Sequence, residues 1–270
     1  MEKHAEILAP AGGEAQLRAA VLCGADAVYL GLRGFNARAG AENFDENTLP
    51  QTVGWCHARG VRVYVTLNTL VTDRELPQWL HSLDAVAAAG VDGVLVQDLG
   101  LAKIIRQRYP TLPLHASTQM TIHSLDGAKA AADLGMTRVV VSRELSRDQI
   151  AYLCDRSPVE IECFVHGALC MCYSGQCFFS SVIGGRSGNR GSCAGTCRLP
   201  FAADGAKEGY HLSLKDLSLV DKIPELMEAG VVSVKIEGRL RTPEYVAAAV
   251  AACRAAREHK PYDKQLLENA

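Results

Sequence analysis

Residues Leu76–Asp98 read LPQWLHSLDAVAAAGVDGVLVQD, a helical pattern, a glycine and a strand in immediate succession. Leu76–Ala89 repeats its apolar residues at helical spacing, Gly90 stands where a left-handed C-cap is wanted, and Gly93–Val96 is a short apolar run. Polar Gln97 and Asp98 close the run. Working outward, the same beat recurs: Gly24, Gly60, Gly135 and Gly230 each follow a helical stretch and precede an apolar one. The further strands predicted are Glu6–Leu8, Ala27–Leu30, Arg62–Thr66, Leu114–Ala116, Arg138–Val141, Val159–Val165 and Val232–Ile236, making eight. Helical patterns lie at Ala15–Cys23, Asp126–Leu134, Asp148–Cys154 and Pro243–Glu258. Eight such units close a (β/α)8, TIM-like α/β barrel. A doubly wound open sheet is the alternative, but Ala9–Gly13 (APAGG) matches its Gly-rich phosphate turn poorly.

The 270 residues suit one such barrel, which takes about 250. Residues 1–260 are read as a single barrel domain and 261–270 as a tail, either the end of a minimal protein or the start of a C-terminal region. The chain is 48% hydrophobic but only 6% aromatic, as parallel strands covered by helices require. A net charge of −2 excludes a polycation, so RNA contact would need a local basic patch. No run of about 18 apolar residues is present, so no membrane span is expected, and the N-terminus lacks an apolar leader core. Ten cysteines without such a leader point to the reducing cytoplasm and to thiols rather than disulfides.

In a barrel, chemistry sits where strands end at the C-terminal face. The residues falling there are polar: Asn68, Thr69, Gln97, Asp98, Ser117, Gln119, Arg143, Glu144, His166, Glu237 and Arg239. Alternation places Glu162, Phe164 and His166 on one face of the seventh strand, and Lys235 with Glu237 on one face of the eighth. Glu162, Lys235 and Glu237 would then meet inside, as a catalytic acid–base group or as a buried charge network closing the barrel.

A long irregular loop leaves the seventh strand and carries Cys170, Cys177, Cys193 and Cys197. It has no acid between Glu162 and Asp204, but holds Arg186, Arg190 and Arg198. Loops of this length stay ordered when something ties them down, and converging thiolates would do so by binding metal. Six residues separate the first cysteine pair and three the second, which suits zinc on one side only. A [4Fe–4S] cluster, zinc and unligated thiols are the three readings. Cys172 is a further candidate ligand. Cys163 by parity faces the helices, and Cys23, Cys56, Cys154 and Cys253 sit in helical patterns as core residues. The arginines form either a solvated Gly-rich hinge or an anion-facing surface; the lack of nearby acids favours the second.

These residues resemble peptidase family U32, the collagenase-like group. Its signature is Glu-x-Phe-x-x-Gly-Ala-Leu-Cys, four residues, Gly-x-Cys, two residues, Ser. Glu162, Phe164, Gly167, Ala168, Leu169, Cys170, Gly175, Cys177 and Ser180 meet it, with Phe179 departing from the aliphatic residue preferred. Further matches are LAPAG near the start, YLGLRGFNARAGAENF from Tyr29, GGRSGNRGSCAGTCRLP from Gly184, SLKDL from Ser213 and KIEGR from Lys235. The resemblance implies a barrel with a four-cysteine [4Fe–4S] cluster that hydroxylates an RNA base without molecular oxygen. The products would be 5-hydroxycytidine in ribosomal RNA or 5-hydroxyuridine in transfer RNA, with prephenate implicated as co-substrate. It further implies two alternatives: peptidase activity, and a role beside a homologous U32 partner in oxygen-independent ubiquinone hydroxylation. Glu162, His166, Lys235 and Glu237 are the candidate acid–base residues. Arg186, Arg190, Arg198, Arg143 and Gln119 are the candidate substrate contacts. Many relatives carry a cysteine where this chain has Ser218, so Cys197 is taken as the fourth ligand.

Overall fold

The computed structural model describes residues 4–202, 205 and 207–270. Eight parallel strands form a closed barrel: β1 (Glu6–Ala11), β2 (Ala27–Gly31), β3 (Arg62–Leu67), β4 (Gly93–Val96), β5 (Leu114–Ala116), β6 (Arg138–Val140), β7 (Glu160–Gly167) and β9 (Ser233–Ile236). Closure is made by β9, which pairs with β1 through Glu6–Ser233 and with β7 through Glu162–Ser233. A two-residue strand, β8 (Leu217–Ser218), was not foreseen. It runs antiparallel to the end of β7 and brings the thiol loop back to the barrel.

The covering helices are α1 (Glu14–Leu22), α2 (Leu49–His57), α3 (Leu76–Ala88), α4 (Leu99–Arg108), α5 (Leu125–Asp133), α6 (Arg147–Arg156), α8 (Ile223–Glu228) and α9 (Pro243–Arg257). Each turns an apolar stripe onto the outer faces of the strands. In α3 that stripe is Trp79, Leu83 and Val86, all fully buried, and Trp79→Ala would cost about 3–5 kcal/mol. Gly90 follows with φ +72, as its C-cap position demands. The tail forms α10 (Lys264–Asn269), which docks Leu267 beside α9. Two apolar layers result, one between strands and helices and a smaller one inside the barrel around Leu8, Tyr29, Tyr64, Leu95, Val140 and Phe164. Among the described residues, no helix is long and apolar enough to cross a membrane.

Two expectations need correction. The thiol loop is not wholly irregular: it contains a short helix, α7 (Phe179–Gly184), and 3-10 turns at Gly188–Arg190 and Thr196–Arg198. His166 does not share a face with Glu162 and Phe164. A bulge between Phe164 and His166 pairs His166 with outward-facing Ile236, and its ring stacks on Tyr245 of α9 with centroids 5.5 Å apart. One extra residue in β7 inverts the parity that simple alternation assigns.

Candidate functional site: a thiol-lined mouth above a charged barrel

The barrel interior carries charge that its strands bury deliberately. Arg138 on β6 donates to Glu6 of β1 at 2.6 Å and to Glu162 of β7 at 3.3 Å. Lys235 of β9 donates to the other Glu162 oxygen at 2.9 Å and sits 4.4 Å from the centre of the Tyr29 ring. Tyr64 and Ser233 donate their hydroxyls to Glu6, which also pairs with Arg62. Burial works to raise the Glu162 carboxyl, but Lys235 and Arg138 outweigh it and hold the group below its ordinary range. Burial pulls the Lys235 ammonium down. His115 of β5, edge-on to Tyr64, is pushed down to about 3 by burial and then by Arg138. The expected meeting of Glu162 with Lys235 is therefore present. Glu237 lies one step higher, bonded to neither.

Glu237 belongs to the mouth, where it accepts from Arg38 at 2.9 Å. Burial raises its carboxyl, yet Arg38, then Arg143 and Arg239, more than offset this and keep it ionised. Arg38 comes from the loop after β2, which Asn36 and Asn43 brace by bonds to backbone carbonyls. Arg239 is buried beside them, donating to Asn36 and Thr66, and burial lowers it to about 10. Opposite, Asn68 binds the Ala37 amide and Ser117, while Gln119 donates to the Asn68 carbonyl. Arg239 was expected at this face from sequence, whereas Arg38 and Arg138 were not singled out as site residues. An arginine opening the short apolar run of β6, at a buried position, was the available sign for Arg138.

The thiol loop lies over this mouth. Gly175 and Gly191 pin it: both have positive φ, and a Cβ would strike the Gln119 carbonyl at the first and the Asn36 carbonyl at the second. Glu144, at the end of β6, accepts from the backbone and hydroxyl of Ser174. Cys170, Cys172, Cys177, Cys193 and Cys197 line one cavity of about 580 Å³ together with Arg38, Gln119, Arg143 and Glu237. Arg143 donates to Cys170 Sγ at 3.4 Å and to the Ala168 carbonyl at 3.2 Å. Burial pushes the Cys197 thiol up; Arg198 opposes this, and Cys170, Cys193 and Cys177 add to the rise. The four sulfurs thus share one cavity, although among the described residues no three Cys, His, Asp or Glu side chains already stand together as a finished metal site. Cys163 is buried toward the helices, as parity predicts.

The loop arginines are employed differently from expectation. Arg190 pairs with Glu75, just before α3, so the acid absent from the neighbouring sequence arrives from a distant element. Arg198 donates to Ser213 and to the carbonyls of Leu214 and Leu169, cross-bracing the loop. Arg186 is exposed and gives its Nε to the Ser192 carbonyl. None of the three lines the cavity; Arg143 and Gln119 do.

The sequence model described as peptidase family U32 matches residues 12–266. The chain belongs to peptidase family U32. It is 41% identical over 247 residues to the 23S rRNA 5-hydroxycytidine C2501 synthase of Escherichia coli K12, an alignment covering 89% of this chain and 37% of that protein. It is 34% identical to the tRNA hydroxylation protein P1 of Bacillus subtilis, over 93% of this chain and 63% of that one. It is also 35% identical to a collagenase of Porphyromonas gingivalis, over 89% and 62%. The U32 chain thus spans between about a third and two thirds of these relatives. A solved U32 peptidase, Mk0906, shares the fold with a TM-score of 0.60 at 17% identity, covering 87% of this chain and 93% of that one.

Proposed function

We propose that this U32 chain forms the catalytic barrel of an enzyme that hydroxylates an RNA base without molecular oxygen. The observation that carries the proposal is the single cavity in which five loop thiols, Cys172 and the four expected ligands, meet Arg38, Arg143 and Glu237 above the strand ends. The names of the RNA-modifying relatives supply the substrate class. Cys170, Cys177, Cys193 and Cys197 fit a [4Fe–4S] cluster as an all-thiolate donor set, with the guanidinium groups of Arg143 and Arg38 offsetting its negative charge. Such a cluster, when bound, supplies one-electron redox chemistry at the mouth.

The chain's own residues do the rest. Glu237, kept ionised by Arg38, is a proton acceptor at the cavity wall. Arg38 and Arg143 give a carboxylate-bearing co-substrate such as prephenate two guanidinium partners. Exposed Tyr173 and Phe178 on the thiol loop offer faces on which an unpaired base can stack. Glu162 and Lys235 hold the floor beneath. The peptidase alternative takes its support from the collagenase relative, but His166, the base nearest Cys170 in sequence, is stacked on Tyr245 on the outside of the barrel.

The deciding experiment is a nucleoside mass profile of total RNA from cells lacking the chain, complemented with the wild type or with Cys177→Ser. Loss of 5-hydroxycytidine or 5-hydroxyuridine, restored by the wild type alone, is the expected outcome. A profile identical in all strains overturns the proposal.

A further inference from the structure

Cys170, Cys172, Cys177, Cys193 and Cys197 line the thiol cavity, one thiol more than a four-thiolate cluster uses. The surplus one, Cys172, is held opposite Cys177 by a closed turn. Gln176 donates its backbone N–H to the Tyr173 carbonyl at 3.1 Å, and Gly175 supplies φ +78 at the third position of the turn. The turn is fixed to the barrel. Thr121 donates to the Ser174 carbonyl at 2.7 Å, and Gln176 donates to the Thr121 hydroxyl at 2.9 Å. Glu144 accepts from both the backbone and the hydroxyl of Ser174. Cys172 and Cys177 are the residues that flank this turn. The Cys172 thiol folds back across it, donating to the Gln176 carbonyl at 3.4 Å, one residue short of Cys177. Of the thiols that act on Cys172, Cys177 is the strongest, through its charge and through thiol–thiol contact, whereas Cys170 acts through charge alone. Both cysteines are free and half-buried.

We propose that Cys172 and Cys177 are an oxidative modification site: in the iron-free chain they form a disulfide by exchange with a low-molecular-weight disulfide such as oxidised glutathione. One protein thiolate attacks a glutathione sulfur, forming a mixed disulfide and releasing one glutathione thiolate. The second protein thiolate attacks the protein sulfur of that mixed disulfide and releases the other glutathione. Two protein thiols are oxidised to one disulfide, and one glutathione disulfide is reduced to two thiols, which take up the two protons. A disulfide needs Cα atoms about 4.4–6.8 Å apart with facing Cβ atoms, an arrangement that the two flanks of a tight turn reach without moving the strands. The bridge takes Cys177 out of the thiolate set, so bridge and cluster exclude each other. That consequence rests on the cluster reading of the cavity; the bridge itself does not.

The full chain, reduced and iron-free, is incubated with oxidised glutathione, its remaining thiols are alkylated, and it is cut with chymotrypsin. Cleavage after Tyr173 puts Cys172 and Cys177 on separate peptides that only a disulfide holds together. That linked pair is the expected main product, retained in Cys170→Ser. In Cys172→Ser, Cys177 should carry glutathione instead, because no other thiol faces it across the turn. Protein first reconstituted with iron and sulfide should not bridge. A reconstituted sample that holds no iron and still bridges would strike the cluster reading while supporting the disulfide. Cys177 left free in the wild type, or joined chiefly to Cys170, Cys193 or Cys197, would overturn the proposal. So would a Cys172→Ser protein in which Cys177 bridges as fully to one of those three, since the turn would then confer no preference.

Discussion

Lys235 Nζ lies 2.9 Å from Glu162 Oε1 in the closed interior of the barrel, on adjacent strands β9 and β7. Both side chains are almost wholly buried, and Arg138 reaches the second Glu162 oxygen. Stranding a buried charge costs about 3–5 kcal/mol, and with Lys235 removed Arg138 alone would hold Glu162, so the loss falls toward the lower end of that range. Lys235→Met should therefore lower the urea midpoint sharply. The double variant Glu162→Gln with Lys235→Met should recover part of the loss, because no charge is then stranded. A Lys235→Met protein as stable as the wild type, but unable to restore the modified nucleoside, would assign the pair to the chemistry instead.

Five of the eight strands were legible by one local rule, a glycine (Gly24, Gly60, Gly90, Gly135 or Gly230) ending the preceding helix and an apolar run following, and the other three by their apolar runs alone. Gly93–Val96 and Leu114–Ala116 match the predicted bounds residue for residue. Helix α4 was not read from the pattern, and α2 and α8 were marked only by the glycines that follow them; α2 has Pro50 and Gly54 within Leu49–His57, which weakens its helical appearance. What could not be read depends on register and distance. The bulge in β7 exists only in its pairing with β9, so an unbroken alternation of Glu162, Phe164 and His166 misassigned the histidine. Arg190 finds Glu75, 115 residues away, so counting acids nearby in sequence misjudged its surroundings. Arg38 reaches Glu237 across 199 residues, and only closure of the barrel brings them together.

His115 gives the interior a pH dependence. Burial and Arg138 hold it down to about 3, with Arg62 and Lys235 also lowering it and Glu162 opposing. An unfolded chain restores it to about 6.5. Between those values the unfolded state binds a proton the folded state refuses, so stability is lost as pH falls through that window. From pH 7 to pH 4.5 this group alone should remove about 2–3 kcal/mol. Urea unfolding of wild type and His115→Gln at both pH values isolates it from the carboxylates. Equal acid sensitivity in the two proteins would show that His115 is protonated in the fold.

Gly175 is the joint between the thiol loop and the barrel. Its φ is +78, and a methyl group there would overlap the Gln119 carbonyl. Gly175→Ala should therefore lift the loop while leaving the eight strands intact. Hydrogen exchange should accelerate across 171–178, with little change in the thermal midpoint. Unchanged exchange in that segment would mean that Gln119 does not seat the loop.

The thiol cavity makes a prediction that needs no knowledge of substrate. Anaerobic reconstitution with iron and sulfide should load about four irons per chain if a single cubane is bound. Cys170→Ser, Cys177→Ser, Cys193→Ser and Cys197→Ser should each reduce the bound iron and bleach the visible absorbance. Cys172 donates its thiol to the Gln176 carbonyl at 3.4 Å rather than standing free, so Cys172→Ser should retain the full complement. If Cys172→Ser bleaches and Cys197→Ser does not, the ligand set must be redrawn around Cys172. If zinc binds and iron does not, the redox role falls while the loop-tying role survives, because tetrahedral thiolate ligation needs no electron transfer.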